Sequence, residues 1–463
     1  FSAFGWPDEQ STEDRGQKSE IRNQRTDLEY FYPTSALVTA PEIIFFWVAR
    51  MIMAGMKFMD AIPFHDVYIH GTVRDDTGKK MSKSLGNTID PLETIEEFGA
   101  DVLRFSIVFI TATGQDVFLS KQKFIIGRNF ANKIWNASRY ILQSTVHSQQ
   151  STVDRGQKTK SSWQETENLE LKERWILSRL NQTIKEINRC LQDYRFQEAE
   201  EKIYEFFWHQ FCDWYIELAK PVQASSSKLQ APSQKAENLQ PATCSLITQT
   251  VLYHILETSM RLLHPFMPFI SEEIWQKIQA TGQKNLKLET CSLQPESLII
   301  ADWPVANEEL INKKVEQDMG LLVEVIKTVR NLCAELNIKD FKKSKLILIH
   351  FPKRLKSYLH YISRLTRIKN IKCQSKKPQK AISAVVEGSE LHLVFENTNL
   401  CGERKRLQEK VEGLRREKER ISNRLGNKEF LNKAPKEIVE KNRIRGKEIN
   451  AEQIRLKNII SQL

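Results

Sequence analysis

The residues best suited to chemistry lie in Lys80-Met81-Ser82-Lys83-Ser84, where two lysines and two serines share five positions. That set suits a polyphosphate. The lysines can neutralise charge that grows on a leaving pyrophosphate during attack at an α-phosphate, and Ser82 and Ser84 can hydrogen-bond phosphate or fix the loop. Gly78 and Gly86 flank the stretch and mark it as a mobile loop. Lysine content alone reads more simply as a solvated basic turn, and the Gly-x4-Gly-Lys-Ser/Thr spacing of a Walker A loop is absent, so the neighbouring elements must decide.

Upstream, the run Val67-Tyr68-Ile69-His70-Gly71-Thr72-Val73 reads as a strand. Downstream, Asp90-Pro91-Leu92-Glu93 reads as a helix start, with Asp at the N-cap, Pro in the first turn and Glu three positions after the cap. Leu92, Ile95, Phe98, Val102 and Phe105 then fall at helical spacing and predict one helix over 91–105. Val38-Thr39-Ala40 reads as a short strand, and Pro41 opens an apolar helix over 42–58. Strand, helix, strand, loop and helix make the second half of a parallel α/β nucleotide-binding (Rossmann-like) fold. Ligands in such folds sit at the carboxyl ends of the strands, where the helix start at Glu42 and the loop at Lys80 should converge. Taken alone, Glu42 simply suits a helix N-terminus, and Trp47 sits in an apolar run.

From about residue 122 the pattern is helical, with apolar periodicity over 122–143, 170–193, 196–220 and 243–280. Ile203, Phe206, Phe207, Gln210, Phe211, Trp214, Tyr215 and Leu218 form one rich stripe, which predicts a helical bundle. Trp208 and Trp214 read as core or interhelix residues rather than platforms for stacked bases. Residues 223–243, rich in Ser, Gln, Ala and Pro, read as a disordered linker. His264 stands in a proline-bounded turn with no second ligand near it in sequence. Strands at 345–350 and 391–395 after a helix over 308–336 suggest a small α/β connector. In the tail, Leu407, Val411, Leu414, Ile421 and Leu425, with Lys418 interrupting one core position, then Ile449, Leu456, Ile459 and Leu463, fall on a pattern of alternating four and three, as in an antiparallel coiled-coil hairpin. The domains expected are therefore 1–121 (α/β half-domain with the lysine loop), 122–302 (helical bundle), 303–400 (connector) and 401–463 (coiled coil).

Charge is uneven. The chain of 463 residues carries +11, and residues 401–463, with 18 Lys and Arg against 10 Asp and Glu, hold +8 of it. Solvated coiled-coil faces explain the presence of charge but not its sign, which points to a polyanion. The 7 cysteines are scattered with no Cys-x-x-Cys pair, which argues against a zinc ribbon or disulfide framework and fits a reducing cytoplasm. No secretory signal is visible, and the apolar run 43–58 is broken by Arg50 and Lys57, so no membrane partner is expected. Ser11-Thr12-Glu13-Asp14-Arg15-Gly16-Gln17-Lys18 nearly recurs at 151–158, which reads as related insertions in surface loops.

Lys80-Met81-Ser82-Lys83-Ser84 is the signature loop of the class I aminoacyl-tRNA synthetases, and its surroundings resemble the valyl branch of that family. The resemblance is carried by Tyr32-Pro33-Thr34, the run Ile43 to Met51, His70-Gly71, Gly86-Asn87, Asp90-Pro91-Leu92, the run Gly99 to Phe105, Gly114-Gln115-Asp116 and the run Asn129 to Asn136, in the expected order. It implies an ATP-dependent ligase of protein biosynthesis. Valine attacks the α-phosphate of ATP to give valyl-adenylate, which then acylates the 3′ end of the valine tRNA. ATP with Mg²⁺ would be the substrate, with no protein-bound metal, and the complete enzyme would be a cytoplasmic monomer. Lys80 and Lys83 would be catalytic; Lys80, Ser82, Lys83, Ser84, His70 and Gly71 would bind ATP. Glu42, where the family usually has Asp, would bind the amino acid's ammonium, and Trp47 would wall its side-chain pocket. The tail would bind tRNA through Arg404, Lys405, Arg406, Lys410, Arg415, Arg416 and Arg420. Phe118 and Cys333 stand where the family pattern usually has Arg, and either departure would weaken a tRNA contact.

Phe4-Gly5-Trp6-Pro7 resembles the interior of the family's catalytic domain, and neither the His-x-Gly-His segment nor the inserted editing domain is found. The expectation is a chain lacking the N-terminal half of the enzyme, which would be its partner. Two other readings remain: an isoleucyl or leucyl relative, against which the lack of a cysteine-rich zinc module argues, and a tRNA-binding fragment without catalysis of its own.

Overall fold

The computed structural model describes residues 27–146, 169–220, 246–285, 296–335, 344–378, 381–395, 400–427 and 436–462. The octapeptide repeats and the 223–243 linker lie outside the described residues. The chain forms two compact units, 1–169 with 176–311, and 170–175 with 312–463.

In the first unit, β1 (Thr34–Thr39) pairs in parallel with β2 (Phe64–Ile69). Parallel neighbours need a crossover. It is supplied by a tight turn at Pro41–Ile43, a wide π turn at Ile44–Val48 and the helix Ala49–Phe58. The strand expected over 67–73 is displaced: β2 ends at Ile69, and Val73–Arg74 (β3) pairs instead with Val117–Phe118 (β4). The chain changes partner at Gly71, where a Cβ would lie 1.8 Å from the Gln115 carbonyl oxygen, so only glycine admits the approach. The helix expected over 91–105 is two, Pro91–Phe98 and Ala100–Ile110, because Gly99 takes φ 93° between them. Asp90 caps the first as expected, accepting from Leu92 N at 2.8 Å.

The helices Phe124–Val146, Leu171–Gln192, Phe196–Tyr204, Leu246–Leu263 and Pro268–Asn285 follow, with a π stretch at Glu205–Tyr215 continuing the Phe196 helix. Phe105, Phe130, Phe207 and Phe211 are fully buried, and an aromatic cluster of Phe105, Phe130, Tyr204 and Trp208 binds the Ala100 helix to the Phe124 helix and to the Phe196 helix with its π stretch. Trp208 is an interhelix residue. His264 is a turn residue whose Nδ1 meets Ser271 Oγ at 2.9 Å.

The second unit holds the helix Lys313–Glu335 and a four-stranded sheet ordered β6-β5-β8-β7. Its strands are β5 (Ser344–Ile349), β6 (Asn370–Cys373), β7 (Ile382–Val386) and β8 (Ser389–Phe395). The two central strands are those read from sequence. The edge strands β6 and β7, and the helix Leu359–Thr366, were not anticipated, since edge positions are half solvated and carry a weak apolar pattern. The tail is two helices, Leu400–Gly426 and Lys436–Gln462. The ion pairs Lys410–Glu452 (2.8 Å) and Glu417–Arg445 (2.9 Å) fix them as antiparallel. Leu407, Leu414, Ile421, Ile449 and Leu456 are buried along their seam; the side chains of Ile459 and Leu463 lie outside the described residues.

Candidate active site and basic arm

The first unit gathers its polar residues at the carboxyl ends of its parallel strands. Glu42 follows β1, His70-Gly71-Thr72 follows β2, and the lysine loop follows β3. That loop does not leave the sheet directly. A turn closes with Gly78 N donating to Asp75 O at 3.0 Å, and Asp75 N donates to Lys79 O at 2.9 Å. The chain therefore returns antiparallel to β3, bridging Arg74 to Lys80. Gly78 at φ 83° makes this reversal possible. Residues Lys83–Leu85 then form one helical turn, and Gly86 at φ 64° releases the chain toward Asp90.

Within this frame Lys80 Nζ lies 3.4 Å from Glu42 Oε1, and Thr72 Oγ1 lies 3.5 Å from the same oxygen. Two residues that sequence assigns to different ligands thus meet each other. Glu42's own backbone amide, then the Lys80 ammonium, hold its carboxyl below the usual range. Both side chains are more than half exposed, so the pair is weak and easily replaced by a stronger anion. Ser82 Oγ and Ser84 Oγ are 3.1 Å apart, and Ser82 Oγ also accepts from Leu85 N at 3.3 Å. The serines therefore fix the turn as well as offering hydroxyls. His70 is exposed; its backbone N donates to Thr39 O at 3.0 Å, and its Nδ1 sits 2.8 Å from Gly71 O. Trp47 stands on the π turn, 47% exposed, with no hydrogen bond to the loop among the described residues. The Lys83 side chain lies outside the described residues.

Four residues given no site role from sequence, two of them (Asn87 and Asp116) within the segments that carry the resemblance, shape the site. Asp116 accepts from Thr72 N at 2.9 Å and pairs with Arg74, which in turn donates to Gly78 O at 3.2 Å. The Thr72 amide and then the Arg74 guanidinium hold the Asp116 carboxyl low. Asp75 accepts from Thr77 N (2.9 Å), Thr77 Oγ1 (2.7 Å), Lys79 N (2.9 Å) and Asn87 Nδ2 (2.8 Å). Led by Asn87 and Thr77, these donors bring its carboxyl down to about 2. Asn87 Oδ1 accepts from Ser82 N at 3.0 Å. The spacing Asp75-Asp76-Thr77-Gly78 was a legible turn signal, since Asp caps its own turn and Gly takes positive φ. No described group of three or more His, Cys, Asp or Glu side chains is arranged to hold a metal ion.

The tail's basic residues belong to the second unit. Arg406 donates to Glu335 O at 2.6 Å, Lys410 pairs with Glu452, and Arg415 pairs with Glu419 at 3.3 Å. Arg404, Lys405, Arg416 and Arg420 are exposed and make no ion pair among the described residues. Cys333 is 1% exposed, and burial pushes its thiol up to about 12. Its departure from the family pattern is one of core packing, out of reach of RNA. Phe118 is half-exposed at the end of β4.

Residues 6–120 match the family model for tRNA synthetases class I (I, L, M and V). Residues 173–348 match that for the anticodon-binding domain of tRNA ligases, and 399–463 that for the valyl tRNA synthetase tRNA binding arm. The chain is 37% identical over 453 residues to the valine–tRNA ligase of Clostridium acetobutylicum, covering 96% of this chain and 46% of that protein. It is 38% identical over 466 residues to the valine–tRNA ligase of Thermotoga maritima, covering 100% of this chain and 47% of that one. With the Aquifex aeolicus enzyme it shares 36% identity over 468 residues, covering 100% of this chain and 37% of that protein. The chain spans about half the length, or less, of the curated relatives it matches. Over that span, the chain is similar throughout to valine–tRNA ligases of the class I tRNA synthetase family.

Proposed function

We propose that this chain supplies the pyrophosphate-stabilising half of the active site, and the tRNA-binding parts, of a valine–tRNA ligase. The reaction is ATP-dependent formation of valyl-adenylate followed by transfer of the valyl group to the 3′ end of the valine tRNA. The observation that carries this reading is the meeting of Lys80 with Glu42, at the carboxyl ends of parallel strands, within a loop of the family's signature sequence. In the adenylation step, attack of the valine carboxylate on the α-phosphate breaks the bond to the β-phosphate oxygen, and negative charge builds on the departing pyrophosphate. Lys80 and Lys83 stabilise that charge, with Ser82 and Ser84 as hydroxyl donors. Mg²⁺ enters with ATP as substrate. As Lys80 turns to phosphate, Glu42 is released to pair with the ammonium of valine, and Trp47 limits the side-chain pocket.

The remaining length of the relatives is the natural partner for the first unit. Parallel sheets are normally covered on both faces. Here Val38, Phe45, Phe46 and Val67 are 59%, 77%, 65% and 39% exposed around a two-stranded parallel sheet. Such a surface calls for the rest of an α/β fold. The helices from 124 to 285 serve as the anticodon-binding domain, and the tail hairpin as a coiled-coil arm on tRNA. Among the described residues no helix is long and apolar enough to cross a membrane.

The test is valine-dependent ATP–pyrophosphate exchange by the full-length enzyme. Lys83→Ala should slow exchange by ~10²-fold with the fold intact, the loss typical of one preorganised donor. Unchanged kinetics remove Lys83 from the mechanism, and exchange stimulated by isoleucine or leucine but not valine moves the chain to another branch of the family.

A further inference from the structure

Asp75 and Asn87 lie outside the Lys80–Ser84 stretch, yet together they tie down both ends of the lysine loop. One carboxylate, Asp75, gathers Thr77 and Lys79 on the incoming arm and the Asn87 amide on the outgoing arm. Asn87 faces both ways. Its Nδ2 donates to Asp75 Oδ2 at 2.8 Å and lies 3.4 Å from Lys80 O, while its Oδ1 accepts from Ser82 N at 3.0 Å. The side chains of two residues twelve positions apart thus determine where the backbone of Lys79, Lys80 and Ser82 stands. The sequence predicts a mobile loop here because of its glycines, but the structure shows a loop clasped across its mouth.

We propose that Asp75 and Asn87 are positioning residues, a hydrogen-bonded clasp that presets the 80–84 loop in the shape in which its lysines meet a polyphosphate. This rests on the reading of the loop as the pyrophosphate-stabilising element. Neither residue touches the reacting atoms. Each acts through the backbone that carries Lys80 and Ser82, and displacing such groups by about 1 Å can cost ~10²-fold in rate. The clasp is directional. Ionised Asp75 only accepts, so its partner must donate to it and still accept from Ser82 N; a carboxamide at position 87 does both, and a carboxylate cannot.

That asymmetry provides the experiment. Asn87→Asp sets two carboxylates against each other and should open the clasp. Asp75→Asn leaves two carboxamides, either of which can donate to the other, and should loosen it less. The exchanged pair Asp75→Asn with Asn87→Asp again places one carboxylate against one carboxamide and should close it. Two readouts separate the clasp from the reading beneath it. In this chain, amide hydrogen exchange at Lys79 and Ser82 should speed by ~10-fold or more in Asn87→Asp and return toward wild type in the exchanged pair. In the full-length enzyme, pyrophosphate exchange should fall ~10- to 10²-fold in kcat for Asn87→Asp with the KM for valine little changed, and recover in the exchanged pair. Amide exchange that does not respond to Asn87→Asp overturns the clasp. So does an exchanged pair as defective as Asn87→Asp in both readouts, or amides that respond while kcat does not. A wild-type enzyme without valine-dependent exchange refutes the functional reading instead, and the amide data then decide alone whether Asp75 and Asn87 shape the loop.

Discussion

Glu200 lies on the Phe196 helix with its side chain fully buried, and neither carboxyl oxygen meets a donor among the described residues. Burial, and then the neighbouring Glu201 charge, push its pKa well above the usual carboxylate range. The unfolded chain releases this proton near the ordinary value of 4.5 while the folded chain keeps it. The group's contribution is therefore fully present below that value and is lost as pH rises toward the folded pKa. Glu200→Gln keeps the volume and cannot ionise. Denaturant melts at pH 5, 6 and 7 should show the fall of stability with pH becoming shallower, by at most about 1.4 kcal/mol per pH unit. Parallel stability profiles for the two proteins refute the assignment. The sequence did not mark Glu200, because in Glu198-Ala199-Glu200-Glu201 all three acids look alike and only packing decides which turns inward. Lys80 and Ser82 were legible because their chemistry is written in their types; Asp75 was legible only as a turn residue, and Asn87 only as part of a resembling segment with no role attached.

At the level of elements, periodicity located the long helices because each buries a stripe over many turns, and it located the tail hairpin because that seam needs only a partner helix. It could not show the break at Gly99, since Leu92, Ile95, Phe98, Val102 and Phe105 keep helical spacing across it. Nor could it show what the break achieves. It begins a new helix whose Asp101 turns away from that helix to cap another, accepting from Phe269 N at 3.1 Å and Ile270 N at 2.6 Å at the start of the Pro268 helix. Asp101 is 9% exposed, so this cap joins the α/β part of the first unit to its helices in a nearly dry setting. Asp101→Ala should lower stability by about 1–2 kcal/mol, the cost of two part-buried N–H groups left without their acceptor. Asp101→Asn, which keeps one acceptor, should cost less. Chemical denaturation of all three proteins checks this order, and an Asp101→Ala protein as stable as wild type rules out the capping role.

On the scale of the whole molecule the charge asymmetry asks for an explanation, since residues 401–463 hold +8 of the chain's +11. The hairpin answers part of it internally. Lys410 and Arg445 are paired across the two helices, and Arg406 and Arg455 are held by Glu335, by its carbonyl at 2.6 Å and its carboxylate at 2.5 Å. These contacts anchor the base of the arm to the end of the Lys313 helix within the same unit. What they leave is a set of exposed cations, Arg404, Lys405, Arg416 and Arg420, without ion pairs among the described residues. If the arm meets RNA, those residues contact phosphates, while Arg406 acts by holding the arm in place. The two roles separate in a salt titration. Arg416→Ala with Arg420→Ala should weaken tRNA binding and lower the slope of log affinity against log salt by about one for each phosphate the arginine had neutralised. Arg406→Ala should weaken binding with the slope nearly unchanged, because it removes a hinge contact rather than a released counterion. Deleting the chain after Leu400 should combine both effects and raise the KM for tRNA more than it slows adenylation in the full-length enzyme. An affinity and a salt slope that survive the deletion would mean that the arm does not touch RNA, and the hairpin's exposed cations would then be a surface for a partner protein.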